Sequence, residues 1–92
     1  MLLKAITDGS VAATGPMKVP SGILGGVLVT TDGTNAAVVI VRRNDANGKA
    51  VFKISTKTPL FITGPIGMEG TQDAYYDVSG TGAAAQFYEW NE

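Results

Sequence analysis

The chain has 92 residues, a net charge of −1, and neither cysteine nor histidine. Its length suits one domain over residues 1–92, and the missing residue types exclude disulfides, histidine or cysteine metal ligands, and any Ser-His-Asp or Cys-His catalytic apparatus. Without a global basic field, neither nucleic acid nor an anionic membrane is an expected partner. We therefore expect a non-enzymatic protein without cofactor or metal, in which oligomerisation helps to stabilise a small core.

The first predicted strand covers Leu2–Thr7 and precedes a turn at residues 8–10. Gly15-Pro16 and Pro20 interrupt the next segment, which predicts a short or irregular strand at a sheet edge, because proline cannot donate to a ladder. The apolar start is too short for a secretion signal, and no apolar run approaches the roughly 20 residues of a membrane span. We expect a soluble protein made in a cytoplasm.

The middle of the chain predicts three strands and two turns. Residues 23–31 are mostly apolar and contain a glycine pair, which suggests a bulge, a bend or the close approach of another backbone. Residues 31–35 are built around Asp-Gly and predict a hairpin connection. Every residue from 36 to 41 is apolar, which indicates a central strand covered on both faces. After a second turn at residues 44–48, the segment 50–56 alternates like a half-exposed strand.

Three further strands are predicted in the last third of the chain. Leu60–Ile62 forms a short strand, and residues 64–68 form a loop with apolar tips at Ile66 and Met68. Two alternating strands follow at Asp73–Ser79 and Ala83–Trp90. Seven or eight short antiparallel strands with glycine-rich turns predict an all-β fold, a small β-sandwich or jelly-roll-like domain.

Aromatic residues concentrate near the C-terminal end of the chain. Tyr75 and Tyr76 point to opposite faces of one strand, as do Phe87 and Tyr88 of the next, so some aromatic surface is expected to face outward. Tyrosine and tryptophan anchor many protein interfaces and also stack on sugar rings. A carbohydrate-binding module using Tyr75, Tyr88 or Trp90 as its platform is therefore an alternative to a protein interface. The predicted interface residues are Arg42, Arg43, Ile66, Met68, Tyr75, Tyr88 and Trp90.

Charge is segregated along the chain. Residues 42–57 carry five basic residues and one acidic residue, a net charge of +4, whereas residues 58–92 carry five acidic residues and no basic one. The simpler interpretation is that basic and acidic strands neighbour each other within one fold. The alternative is that complementary patches meet between neighbouring copies of the chain.

Two segments resemble ligand-binding loops only in part. Residues 45–49 begin like a calcium loop, but Thr56 stands where the closing glutamate should be, and a hairpin turn accounts for the residues. Residues 64–70 are glycine-rich but lack the lysine and hydroxyl residue of a P-loop. An enzyme would need a carboxylate pair such as Asp73 and Asp77.

Four segments carry a resemblance to a known family: Ala12–Pro16, Ile23–Val29, Ala37–Val41 with its following turn, and Tyr76–Ala83 ahead of the aromatic strand. Their order resembles small virion proteins of tailed bacteriophages, known as head decoration, cement or tail accessory proteins; the segment 57–70 departs from that pattern. The resemblance implies no catalytic residues. It implies a virion protein, a homo-oligomer with a trimer favoured, that binds the major capsid protein or another virion protein and bridges capsid subunits. A tail, neck or fibre component is the alternative within the same class.

Overall fold

The computed structural model describes residues 2–91, which form eight strands in two four-stranded antiparallel sheets. No helix in this part of the chain is long and apolar enough to cross a membrane. The all-β prediction is confirmed. The strands are β1 (Leu2–Ala5), β2 (Thr14–Lys18), β3 (Ile23–Thr30), β4 (Ala37–Arg43), β5 (Ala50–Thr56), β6 (Leu60–Gly67), β7 (Asp73–Ser79) and β8 (Ala84–Asn91).

The strand pairing is that of a jelly roll. One sheet has the order β1-β8-β3-β6 and the other β2-β7-β4-β5. The pairs β4–β5, β3–β6, β2–β7 and β1–β8 all occur, so the chain is one long antiparallel ribbon folded at the β4–β5 turn. Rolling this ribbon places alternate strand pairs in opposite sheets. The β3–β8 pairing joins the two strand pairs of one sheet, and the β4–β7 pairing joins the two strand pairs of the other.

The core lies between the inward faces of the two sheets. Alternation along β4 buries Ala37, Val39 and Val41 completely, whereas Val38 and Ile40 on its outer face are half-buried. The prediction that both faces of this strand are covered is therefore right only for the inner face, because the jelly roll has no third layer. The other fully buried large side chains are Leu24, Val27, Val29 and Phe87 from the β1-β8-β3-β6 sheet, with Val19 and Met68 from flanking segments.

The predicted hairpin at residues 31–35 is wrong. The segment carries the chain from β3 in one sheet to β4 in the other, and these two strands do not pair. The Asp32 carboxylate accepts hydrogen bonds from the backbone N–H groups of Thr34 at 2.9 Å and Asn35 at 2.8 Å. The same Asx-turn chemistry can close a hairpin or a crossover, so these residues do not tell the two apart.

The predicted loop with apolar tips is also wrong. Residues 60–67 form one continuous edge strand, β6, in which Ile66 pairs with Leu24 and packs against the core. Met68 is fully buried, and its backbone N–H donates to the Gly22 carbonyl at 3.1 Å. Proline is tolerated within β6 because the strand lies at a sheet edge. Neither Ile66 nor Met68 is available as an exposed interface residue.

Candidate interaction surface

The outer face of the β1-β8-β3-β6 sheet is mostly apolar, and none of the outward-facing residues in its described strands is charged. Alternation in β8 sends Phe87 inward and Tyr88 and Trp90 outward. The register places Leu3 of β1 opposite Trp90, and Leu28 of β3 opposite Phe61 of β6. We call this surface the aromatic face. Its outward residues are Leu3, Ala5, Gly26, Leu28, Thr30, Phe61, Thr63, Ala84, Gln86, Tyr88 and Trp90.

The glycine pair of β3 leaves room for neighbouring side chains on this face. A Cβ atom at Gly26 would lie 3.0 Å from Cζ of Phe61, and one at Gly25 would lie 2.7 Å from Cδ2 of Leu3. Phe61 then meets Tyr88 edge to face, with ring centroids 5.8 Å apart and planes at 81°. The ladder shifts register between Leu24 and Gly26, and backbone atoms of Glu89 and Trp90 would lie 2.8 Å from a Cβ atom at Gly25, so a bulge and the close approach of a backbone, two of the predicted alternatives, both occur here.

Much of this apolar surface is open to solvent. Phe61 is 44% exposed and Leu3 is 37% exposed, both high values for large apolar side chains. Leu28, Tyr88 and Trp90 are half-buried. A contiguous apolar patch of this kind on a small protein is typical of an interaction site.

The outer face of the other sheet has the opposite character. Lys18 forms an ion pair with Asp73, and Thr14 donates its hydroxyl to Asp77 at 3.0 Å. Lys53 lies opposite Ile40 on β4. Charged side chains are therefore spread over the outer face of this sheet and absent from the outward-facing strand residues of the aromatic face, so the described part of the molecule has two chemically distinct sides.

Two of the predicted interface residues lie on this charged side. Arg42 and Tyr75 are cross-strand neighbours on β4 and β7, both half-buried. Their partners in the prediction, Tyr88 and Trp90, lie on the aromatic face. The seven predicted residues therefore do not form one surface, and only Tyr88 and Trp90 belong to the aromatic face.

Arg43 lies at one end of the sandwich, in a small ion-pair cluster. Its Nε is 3.4 Å from one carboxylate oxygen of Glu69, and Lys49 Nζ is 3.3 Å from the other. Glu69 is therefore the shared carboxylate partner of Arg43 and Lys49. These pairs are partly exposed and contribute little stability. They show that the basic segment meets the acidic third of the chain within one fold.

Other carboxylates have local structural partners. Asp45 accepts a hydrogen bond from the backbone N–H of Asn47 at 2.9 Å, which is turn chemistry. Hydrogen bonds from Asn35 and Thr34 hold the pKa of the Asp32 carboxyl below its usual value. Among residues 2–91, no group of three or more acidic side chains could hold a metal ion.

Sequence reasoning missed Leu3, Leu28 and Phe61 as members of this surface. Each lies in a predicted strand, but only the pairing of β1, β8, β3 and β6 in one sheet brings the three residues to a common face. Comparison with family models, curated proteins and solved structures finds no match to this chain, so no relative supplies a function.

Proposed function

We propose that this protein is a non-enzymatic virion structural protein of a tailed bacteriophage, a capsid decoration or cement protein. The observation that carries the proposal is the aromatic face, a charge-free surface on a small sandwich whose other side is charged. The sequence resemblance to small virion proteins supports the same conclusion. Jelly rolls occur in viral capsid proteins and also in lectins, so the fold by itself does not choose between them.

The size of the aromatic face suits a contact that is weak in one copy and strong in many. Four strands about 4.8 Å apart and about 25 Å long give a footprint of about 500 Å². A stable interface buries about 800 Å² per partner, so a single face falls short. A homo-oligomer such as a trimer would present several faces to a capsid at once and bind by avidity.

Quantitative mass spectrometry of purified particles tests the proposal. The particles come from the phage whose genome encodes this chain, and the copy number is measured against the major capsid protein. A cement protein is expected at a copy number comparable to that of the capsid protein. A few copies per particle would instead indicate a tail, neck or fibre component, and the absence of the protein from the particles would refute the proposal.

A pair of matched substitutions tests the role of the aromatic face. Leu28→Lys places a charge at the centre of this face, between Gln86 and Phe61. Val38→Lys places the same charge on the outer face of the other sheet, between Ser55 and Ser79. Both original residues are half-buried on central strands. We expect Leu28→Lys to lose co-sedimentation with particles stripped of the native protein, and Val38→Lys to retain it.

A carbohydrate-binding module is the second candidate, favoured by the spacing of the aromatic side chains. Tyr88 and Trp90 are two residues apart on one strand face, and Phe61 lies beside Tyr88. Such a platform could stack on sugar rings. Wild-type binding to a glycan array that is lost in Trp90→Ala would favour this candidate. If the wild type binds no glycan on the array, the carbohydrate-binding function is excluded.

A further inference from the structure

A cleft opens at the side of the sandwich where the edge strands β1 and β2 face each other. Its volume is about 600 Å³, which is the size of a small-molecule site. The floor holds two polar side chains from the inward faces of β7 and β8, Tyr76 and Glu89, and the aromatic face lies on the outside of β8. The apolar walls are formed by Ile6, Val11, Pro16, Met17 and Pro20.

Glu89 is the one charged side chain that is buried among the described residues, at 5% exposure. One carboxylate oxygen, Oε1, accepts a hydrogen bond from the backbone N–H of Ser21 at 3.0 Å. No donor from residues 2–91 reaches Oε2, and no cation of these residues lies within ion-pair distance. A buried glutamate is rarely left without a cationic partner, because the desolvation of a carboxylate is costly.

The two lysines at the mouth of the cleft do not supply that partner. Lys4 is the cross-strand neighbour of Glu89 on β1, but its side chain is exposed and its ammonium group lies beyond ion-pair distance. Lys18 is paired with Asp73 on the charged side of the molecule. Asp8, an exposed residue, is the second carboxylate of the lining. The cleft therefore combines apolar walls with a buried carboxylate, Glu89, that has no cationic partner among residues 2–91.

We propose that this cleft binds a primary alkylammonium group, whose apolar stem lies along the walls and whose ammonium pairs with Glu89. An ammonium group has three donors, which suit the free Glu89 oxygen and the Tyr76 hydroxyl. Such a group could belong to a lysine side chain of a partner protein or to a free diamine. The inference uses neither the aromatic face nor a virion location, so it is independent of the proposed function.

Titration with n-hexylamine, followed by backbone amide chemical shifts, tests this site. We expect a Kd on the order of 1–10 mM, with shifts at Ser21 and Tyr76. The uncharged analogue n-hexanol is expected to bind at least about tenfold more weakly, because it lacks the ammonium charge. Equal binding of the alcohol and the amine would overturn the inference, as would no saturable binding of the amine.

Two carboxylate variants provide the matched control. Glu89→Gln keeps an acceptor for the Ser21 N–H, so the fold is retained while the charge is lost. We expect it to weaken hexylamine binding at least about tenfold. Glu69→Gln removes an exposed charge at residue 69, which does not line the cleft, and is expected to bind like the wild type. If Glu89→Gln is folded and binds hexylamine as tightly as the wild type, the proposed site is wrong.

A third variant and two further probes separate the remaining possibilities. If Lys4 itself neutralises Glu89 in solution, Lys4→Gln will acquire hexylamine binding that the wild type lacks, and the proposal for the wild-type protein fails. We expect instead that both proteins bind. A peptide with one lysine between apolar residues that binds more tightly than cadaverine, and loses binding on lysine acetylation, would indicate a protein partner. Tighter binding of cadaverine would indicate a free diamine.

Discussion

Alanine at Gly80 tests how closely the passage from β7 to β8 is packed against the start of β4. Gly80 has φ = +112°, and its carbonyl accepts a hydrogen bond from the Ala83 N–H at 3.2 Å. A methyl group there would overlap the Ala36 carbonyl oxygen and lie 3.2 Å from the Ala36 carbonyl carbon. The neighbouring Ala37 is fully buried, so the backbone at Ala36 and Ala37 has little room to move away from the added methyl group.

Gly33 provides the matched control. It also has a positive φ, +83°, but no heavy atom lies within 4 Å of the position a methyl group would take. Alanine at either site must adopt a positive φ, which costs about 1–2 kcal/mol because of its Cβ atom. At Gly80 the overlap adds about 1–3 kcal/mol. We therefore expect Gly80→Ala to lower the free energy of unfolding by about 2–5 kcal/mol and Gly33→Ala by about 1–2 kcal/mol.

Urea unfolding followed by tryptophan fluorescence measures both losses, with the slope of the transition as a check on two-state behaviour. In thermal unfolding, each kcal/mol corresponds to a fall in Tm of about 4–8 °C for a domain of this size. Gly67→Ala, with no neighbour within 4 Å and no positive φ, is expected to change stability by less than about 1 kcal/mol. Equal losses at Gly80 and Gly33, within about 0.5 kcal/mol, would refute the overlap argument.

Three further predictions concern individual contacts. A double-mutant cycle with Phe61→Ala and Tyr88→Ala should give a coupling energy of about 0.5–1.5 kcal/mol in urea unfolding, and zero coupling would show that the edge-to-face pair is not formed. The Asp32 pKa is lowered from 3.8, chiefly by the hydrogen bond from the Asn35 backbone, so its charge stabilises the fold above that value. The stability difference between wild type and Asp32→Asn should shrink as pH falls below about 3.8 and stay constant from pH 5 to 7, whereas a difference that grows with acid would have the wrong sign. Phe87→Ala should cost about 3–5 kcal/mol, because this fully buried ring also packs against Tyr76, and a loss below about 1 kcal/mol would contradict its central position.

Local alternation was enough to place several strands and their faces. Asp73–Ser79 has the predicted bounds, and the last strand differs from its prediction by one residue at each end. Ala85, Phe87 and Glu89 share one face of that strand, as its alternation predicts, and the structure shows that this face is the buried one. Side-chain direction in a strand depends only on neighbouring residues, so it can be read from a single segment.

The pairing of strands depends on distant segments and could not be read in this way. Asp32-Gly33 carries the turn signal of a hairpin, yet the strands on either side of it belong to different sheets. Pro65 indicated a loop, but β6 continues through it because its free edge needs no donor there. The aromatic face joins Leu3, Phe61 and Trp90 from opposite parts of the chain, so it exists only once the ribbon is rolled.

Folding of a rolled ribbon is expected to start where the loop to be closed is shortest. β4 and β5 are joined by the short turn at residues 44–49, whereas the pairs β3–β6, β2–β7 and β1–β8 close successively longer loops at rising entropic cost. In stopped-flow experiments, we expect substitutions in that turn to slow folding, and Leu3→Ala to speed unfolding with little change in the folding rate. The pair β1–β8 would then be the last to form and the first to open. Since Lys4 of β1 lines the cleft and lies opposite Glu89 across this pair, the strand that borders the cleft is also the one expected to detach most easily.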